Sequence, residues 1–398
     1  MKNTFAHEIL LVNTFVVALI ISAISNYSIS SYVIKGGVSL TLLTLVFYDA
    51  KLKNIALKGL TGSRNFTFFV SLLACLVILP AITLVYSVNP AFGLQKLLYL
   101  IISTLPILIS FYYLVHTRTE QRIKIFFISI LISGLISSVY VIINNPFQHL
   151  SFYKFSTNNW SHVVFGRFIG TVYFITMLLL LTSKFKTRTI LFGLCLIIFG
   201  YAIYITGSRT IIIASLFLTM TACAITLAKK ISLPFNYIIL LCGLSFTFSL
   251  IHILPVTDKN QVERIDKIVK TPNDQIQKDG SLQARWHAWE IALEMIKAKP
   301  ITGMGLGGYN QFWGQDDIAK ILKYPHNVLL EFWVEFGIPG LLLFFYLLFV
   351  IYKNAYKAGW QFVLFVSFGL ILAVVSKDIG CNVMLWMGLA GEAKVTHD

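Results

Sequence analysis

The sequence predicts an all-α polytopic membrane protein of about twelve transmembrane helices, with one large loop late in the chain. Three observations carry that prediction. Of 398 residues, 57% are hydrophobic and only 12% are charged, and the mean hydropathy is +0.77. A soluble domain carries about 45–50% apolar and roughly 25% charged residues, so this composition excludes a soluble enzyme, a disordered chain and a fibre. The apolar residues also fall in runs of the ~20 residues that a helix needs to cross a bilayer. Finally, basic residues alternate between successive loops in the pattern that sets membrane orientation.

Taken in order, the apolar runs lie near 8–26, 32–49, 66–86, 97–115, 125–144, 164–182, 190–206, 210–228 and 236–254, and then near 337–352, 360–376 and 379–391, the last being short. Lys2 followed by apolar residues from Ile9 resembles a secretory signal, but with so many runs behind it this is an uncleaved first helix. The chain divides into a nine-span membrane bundle (1–254), a large polar loop (255–326) and three C-terminal spans (327–398).

With the N-terminus in the cytoplasm, the inner loops collect Lys51, Lys53, Lys58 and Arg64, then Arg118, Arg122 and Lys124, then Lys184, Lys186 and Arg188. Lys229, Lys230, Lys353 and Lys357 continue the series, while the short outer loops hold little beyond Lys96, Lys154, Arg209 and Lys377. That asymmetry places the 255–326 loop outside the cytoplasm. It also explains the formal charge of +15. The loop is nearly balanced, with ten Lys/Arg against nine Asp/Glu, so the excess reports topology and not a nucleic-acid partner.

The five cysteines all sit in apolar runs and form no CxxC or Cys/His cluster, so they read as small apolar fillers. The nine-plus-three layout lacks the paired halves common in secondary transporters. Lys35 in the second span and the Lys377/Asp378 pair are the features that favour transport, although Lys35 lies near an outer end, where it can snorkel.

In the loop, Ser281 to Lys299 reads as an amphipathic helix ended by Pro300. Leu282, Trp286, Trp289, Leu293 and Ile296 form its apolar stripe, and His287, Glu290, Glu294 and Lys297 its polar face. Arg285 borders the stripe, either as a snorkelling arginine or as a guanidinium aimed into a cleft at the membrane boundary. Gly303-Met304-Gly305-Leu306-Gly307-Gly308 formally contains GxGxxG, but no strand-turn-helix frame surrounds it. It reads as a flexible turn that lets the chain double back towards the membrane. Asp316 and Asp317 are adjacent and do not face one another on a helix, so they suggest no divalent ion.

Next comes Tyr324-Pro325-His326-Asn327, with Pro325 favouring an extended approach to a helix start. His326 then stands at the first turn of a helix entering the bilayer, as an interfacial polar residue or as a general base suited to neutral pH. Glu331 and Glu335 lie four apart on one face, where they can bind partners or orient other groups.

The segment PHNVLLEFWVEFGIPG at 325–340 resembles the signature of the bacterial O-antigen ligase and O-antigen polymerase superfamily, a histidine followed by a Leu-Glu helix and a Glu-x-Gly-x-x-Gly turn into a span. Gly207-Ser208-Arg209-Thr210 is similar to the family's arginine motif between two spans, and Leu282-Gln283-Ala284-Arg285 to its second arginine. The span count and the late loop match the ligase layout.

The resemblance implies a GT-C-like fold and a multi-pass glycosyltransferase of the bacterial inner membrane, with its active site facing the periplasm. It implies undecaprenyl diphosphate-linked O-antigen as donor, lipid A–core as acceptor, and no cofactor. It makes His326, Arg209 and Arg285 the catalytic candidates: His326 to take the acceptor's proton, and the arginines to bind the departing diphosphate with paired, charge-assisted bonds. Lys96 and Arg167, near outer ends of the fourth and sixth spans, are further diphosphate contacts or else interfacial basic residues. Transfer would be inverting and metal-independent. An O-antigen polymerase, a protein O-oligosaccharyltransferase using the same donor and a lipid or glycan transporter remain alternatives.

Overall fold

The computed structural model describes residues 2–22, 29–52, 64–117, 120–144, 162–206, 208–230, 235–241, 243–244, 280–312, 324–375, 379–380 and 382–390. These residues are helices and turns, with no strand among them. The helices are α1 (Lys2–Ser22), α2 (Ile29–Leu52), α3 (Arg64–Leu84), α4 (Pro90–Tyr99), α5 (Leu105–His116), α6 (Glu120–Asn144), α7 (His162–Thr182), α8 (Lys186–Thr206), α9 (Arg209–Ala228), α10 (Gly280–Ala298), α11 (Val328–Ala358), α12 (Trp360–Val375) and the single turn α13 (Val383–Trp386). A π-helical segment, Leu100–Thr104, joins α4 to α5 without a break, so Pro90–His116 is one continuous rod.

Among the described residues, eight helices are long and apolar enough to cross a membrane, and two shorter apolar helices, Ala6–Ile20 and Trp360–Val375, accompany them. The protein is an all-α polytopic membrane protein. Of the expected run at 236–254, residues 235–241 and 243–244 are helical and the rest lies outside the described residues. The expected twelfth span at 379–391 is corrected. Its described part is two four-residue turns, Val383–Trp386 and Met387–Ala390. Trp386 and Leu385 are fully buried there, and the Trp386 indole donates to Ile379 O at 2.8 Å. Eight residues of helix rise only ~12 Å, too little to cross a bilayer, so the apolarity of this stretch serves burial in protein and not contact with lipid.

The chain packs as two compact units, one comprising Met1–Phe126 with Ile276–Asp398, the other Phe127–Gln275. This division follows packing, not position along the chain, so the polar loop's helix α10 and the C-terminal spans join the first helices.

In the first unit, α1 pairs with α2, α2 with α5, and α11 with α12, α3 and the 387–390 turn. Leu11, Phe15, Leu42, Phe332, Phe344 and Trp386 are among the residues of its shared apolar core. At one end a buried polar cluster ties four helices together. Asp49 of α2 accepts from Tyr113 of α5 at 2.6 Å and pairs with Arg122 of α6, which also reaches Glu8 of α1 at 3.5 Å and Thr117 Oγ1 at 2.6 Å. Lys35 does not snorkel: it is buried, with its ammonium 4.1 Å from the centre of the Tyr99 ring. Lys377 and Asp378 lie outside the described residues.

In the second unit, α7 lies along α8 and packs on α9. The buried Asn236 side chain stitches the turn after α7, donating to Leu181 O and Ser183 O at 3.3 and 2.9 Å and accepting from Thr189 at 3.2 Å. Cys75, Cys195 and Cys223 are free thiols, and Cys242 and Cys381 lie outside the described residues.

Candidate functional site

The site is built on a break in α11. Asn327 caps the helix, its side chain accepting from the amides of Leu329 and Leu330 at 3.0 and 3.3 Å. Ten residues on, Gly337 takes φ 64°, ψ −153°, and Pro339 has no amide hydrogen. An unbroken helix would bond the 338 amide to Val334 O and the 339 amide to Glu335 O; here both carbonyls are released.

The glycine-rich stretch takes them up. Met304 N donates to Val334 O at 2.8 Å and Gly305 N to Glu335 O at 2.9 Å, while Ile338 N turns to Pro300 O and Ile301 O at 3.1 and 3.2 Å. On its other side the stretch meets the α3–α4 turn: Tyr86 OH donates to Thr302 O and Ser87 Oγ to Leu306 O, both at 2.7 Å, and Val88 N to Met304 O at 3.2 Å. The chain does double back as expected, but as a hydrogen-bonded strap, not a flexible turn. Gly337 must be glycine: beyond its positive φ, a Cβ there would lie 2.1 Å from Ile301 O.

Under the strap lies a buried ionic triad that the sequence did not reveal. Lys96 Nζ of α4 stands 2.5 Å from Glu331 Oε1, 2.7 Å from Glu335 Oε1 and 2.8 Å from Glu335 Oε2. The three residues are 6%, 0% and 1% exposed. Lys96 was expected at the donor's diphosphate; the structure spends its ammonium on these two carboxylates. Two glutamates one turn apart in an otherwise apolar span were the legible signal, because buried carboxylates require a cation. Which cation was not legible.

His326 stands one residue before the cap, with φ 54°, and its ring lies 4.5 Å from that of Tyr324. A non-glycine residue in the left-handed region is uncommon and is held there by its surroundings. The holding contact comes from the loop helix, for Trp289 Nε1 of α10 donates to Pro325 O at 3.0 Å. Arg285, half-buried, precedes Trp289 by one helical turn on the same face and so lies one turn from that tether.

The loop helix occupies Gly280–Ala298, close to the expected 281–299. Its buried face differs from the expected stripe. Ala288, Ala292, Met295 and Ile296 pack on Met304, Tyr309 and Val334, whereas Trp286 and Leu293 are 54% and 46% exposed. The Leu282 side chain lies outside the described residues. Small residues permit close approach to the strap and α11, and that close packing decided the face over bulk hydrophobicity. Tyr309 donates to Ala288 O at 3.2 Å, and burial pushes its hydroxyl pKa above the usual range.

Arg209 and Arg167 belong to the second unit. Arg209 opens α9, behind the cap residue Ser208, and its side chain lies outside the described residues. Arg167 of α7 is buried. The preceding Gly166 packs so closely that a Cβ would lie 3.0 Å from both Ser208 Cβ and Thr206 Oγ1. The structure therefore sets the backbones at Arg167 and Arg209 side by side at one end of this unit. Among the described residues no group of three or more His, Cys, Asp or Glu could hold a metal ion, and Asp316 and Asp317 are outside them.

Comparison with known proteins matches residues 193–345 to the family model described as O-antigen ligase. The matched stretch contains all three motifs, at Arg209, at Arg285 and at 325–340. No curated protein matches the chain. The family comprises membrane glycosyltransferase-like enzymes of the ligase and polymerase type, acting on polysaccharide and lipid-linked substrates. Residues 193–345 of this helical membrane protein, with all three motifs among them, are thus similar to the O-antigen ligase family.

Proposed function

We propose that this protein is an O-antigen ligase of the bacterial inner membrane. It transfers O-polysaccharide from undecaprenyl diphosphate to a sugar hydroxyl of lipid A–core at the periplasmic face. The observation that carries this reading is the corner formed by α10 and the start of α11 inside the family match. There, a histidine in a left-handed conformation follows the residue that Trp289 tethers, and Arg285 lies one helical turn from that tether.

His326 takes the proton of the acceptor hydroxyl as its oxygen attacks the anomeric carbon. The sugar–diphosphate bond breaks on the opposite side, which inverts the anomeric centre, and the lipid diphosphate leaves with the bonding electrons. Arg285 and Arg209 receive its growing negative charge, a task for which the planar guanidinium fork is well suited. Arg167, beside the Arg209 motif, adds positive charge in that unit. With arginines in this role the reaction needs no metal, and transfer should survive a chelator.

The test is deletion of the gene in a host making smooth lipopolysaccharide, followed by gel analysis. Loss of a ligase leaves bare lipid A–core while polymer accumulates on undecaprenyl diphosphate. A core capped with one repeat unit would identify a polymerase instead, and an unaltered ladder would overturn both.

A further inference from the structure

We propose that Lys96, Glu331 and Glu335 form an electrically neutral joint, with one proton held on Glu331, that positions His326 instead of contacting the donor's diphosphate. The break at Gly337 uncouples Val328–Phe336 from the rest of the span, so this two-turn half-helix, with His326 at its head, needs its own anchor. The strap holds it through backbone atoms at its lower end. The triad holds it by side chains at both turns, because Glu331 and Glu335 follow His326 by five and nine residues and both grip one lysine of α4.

An ammonium group has three N–H donors. Three acceptor oxygens lie within 2.5–2.8 Å of Nζ, so a phosphate could bind only by displacing a buried carboxylate. One lysine against two ionised glutamates would leave a net negative charge at a site no more than 6% exposed, at a prohibitive desolvation cost. A single proton restores neutrality. Geometry assigns it to Glu331. Glu335 turns both oxygens to Nζ, as an ionised carboxylate does. Glu331 offers only Oε1, and its buried Oε2 makes no hydrogen bond.

The activity arm of the test rests on the transfer reading above; the exchange arm does not. Full-length protein in detergent is compared by hydrogen exchange of residues 324–336 and by transfer kinetics with lipid diphosphate-linked glycan and lipid A–core. Glu331→Gln, which copies the protonated carboxyl, should keep parent-like exchange and a kcat within about threefold. Lys96→Gln should speed exchange in 324–336 more than in the other spans and lower kcat at least about tenfold, with donor KM little altered. If Lys96→Gln does not accumulate, Lys96→Gln combined with Glu335→Gln removes the surplus charge and is read in the same way.

A tenfold rise in donor KM with unaltered exchange would make Lys96 a diphosphate ligand and overturn the proposal. Equal damage from Glu331→Gln and Lys96→Gln would overturn the proton assignment. A parent protein that transfers nothing would overturn the functional reading, while the exchange comparison would still decide whether the joint exists.

Discussion

The first unit holds two buried ionic clusters towards opposite ends of one continuous helical rod, and they do different work. Lys96 and Tyr113 stand seventeen residues apart on the continuous Pro90–His116 rod, about 25 Å. At the Tyr113 end, Asp49 gathers Arg122, a tyrosine hydroxyl and the neighbourhood of Glu8 and His7, all from unbroken helices. At the Lys96 end, two carboxylates on a broken helix meet one lysine. Continuous helices already fix one another through apolar packing, so the Asp49 cluster adds stability without steering any group. A half-helix severed at Gly337 has lost that support, and there a similar set of charges sets the position of a histidine. What lies behind the ion pair, more than the pair itself, decides whether it is a staple or a joint.

That contrast can be broken from either end. The largest effect is expected from His326→Ala, which should cut transfer by about 10²–10⁴-fold while the protein accumulates at the parent level. A parent-like lipopolysaccharide ladder in a complemented deletion strain would remove His326 from the chemistry. Asp49→Ala should do the reverse, lowering stability by about 3 kcal/mol or more because Arg122 and Tyr113 lose their main buried acceptor. Thermal unfolding in detergent measures it, and the surviving molecules should turn over normally; a parent-like midpoint would refute the staple.

Gly337→Ala should cost about 1–3 kcal/mol through its positive φ alone. It should also dislodge the strap, seen as faster hydrogen exchange in 300–308; unaltered exchange there would show that the break does not depend on glycine. Trp289→Phe is the mildest, losing a single hydrogen bond to Pro325 O worth about 1 kcal/mol. It should lower kcat modestly without altering yield, and a change in yield alone would mean that the tether serves folding and not His326.

Much of the site was legible from residues close in sequence. The helix start after Pro325, the two glutamates four apart, the loop helix and the chain reversal at the glycines each depend on neighbours within a few positions. The misreadings came from the same source. Apolarity at 379–391 looked like a span because hydropathy cannot separate burial in protein from exposure to lipid. The loop helix's large residues outweighed its alanines on spacing, yet Ala288 and Ala292, with Met295 and Ile296, form the face that meets the strap.

By itself the sequence determined that the protein is helical and membrane-embedded, where its long apolar runs fall, and which three motifs it carries, because hydrophobic runs and short motifs are properties of adjacent residues. Only the tertiary structure decided that Lys96 meets Glu331 and Glu335, across 235 and 239 residues of chain, and that a strap completes the hydrogen bonds of a broken helix. Those contacts depend on which helices are brought together, and burial, by making an unpartnered charge or carbonyl costly, forces each of them to be met.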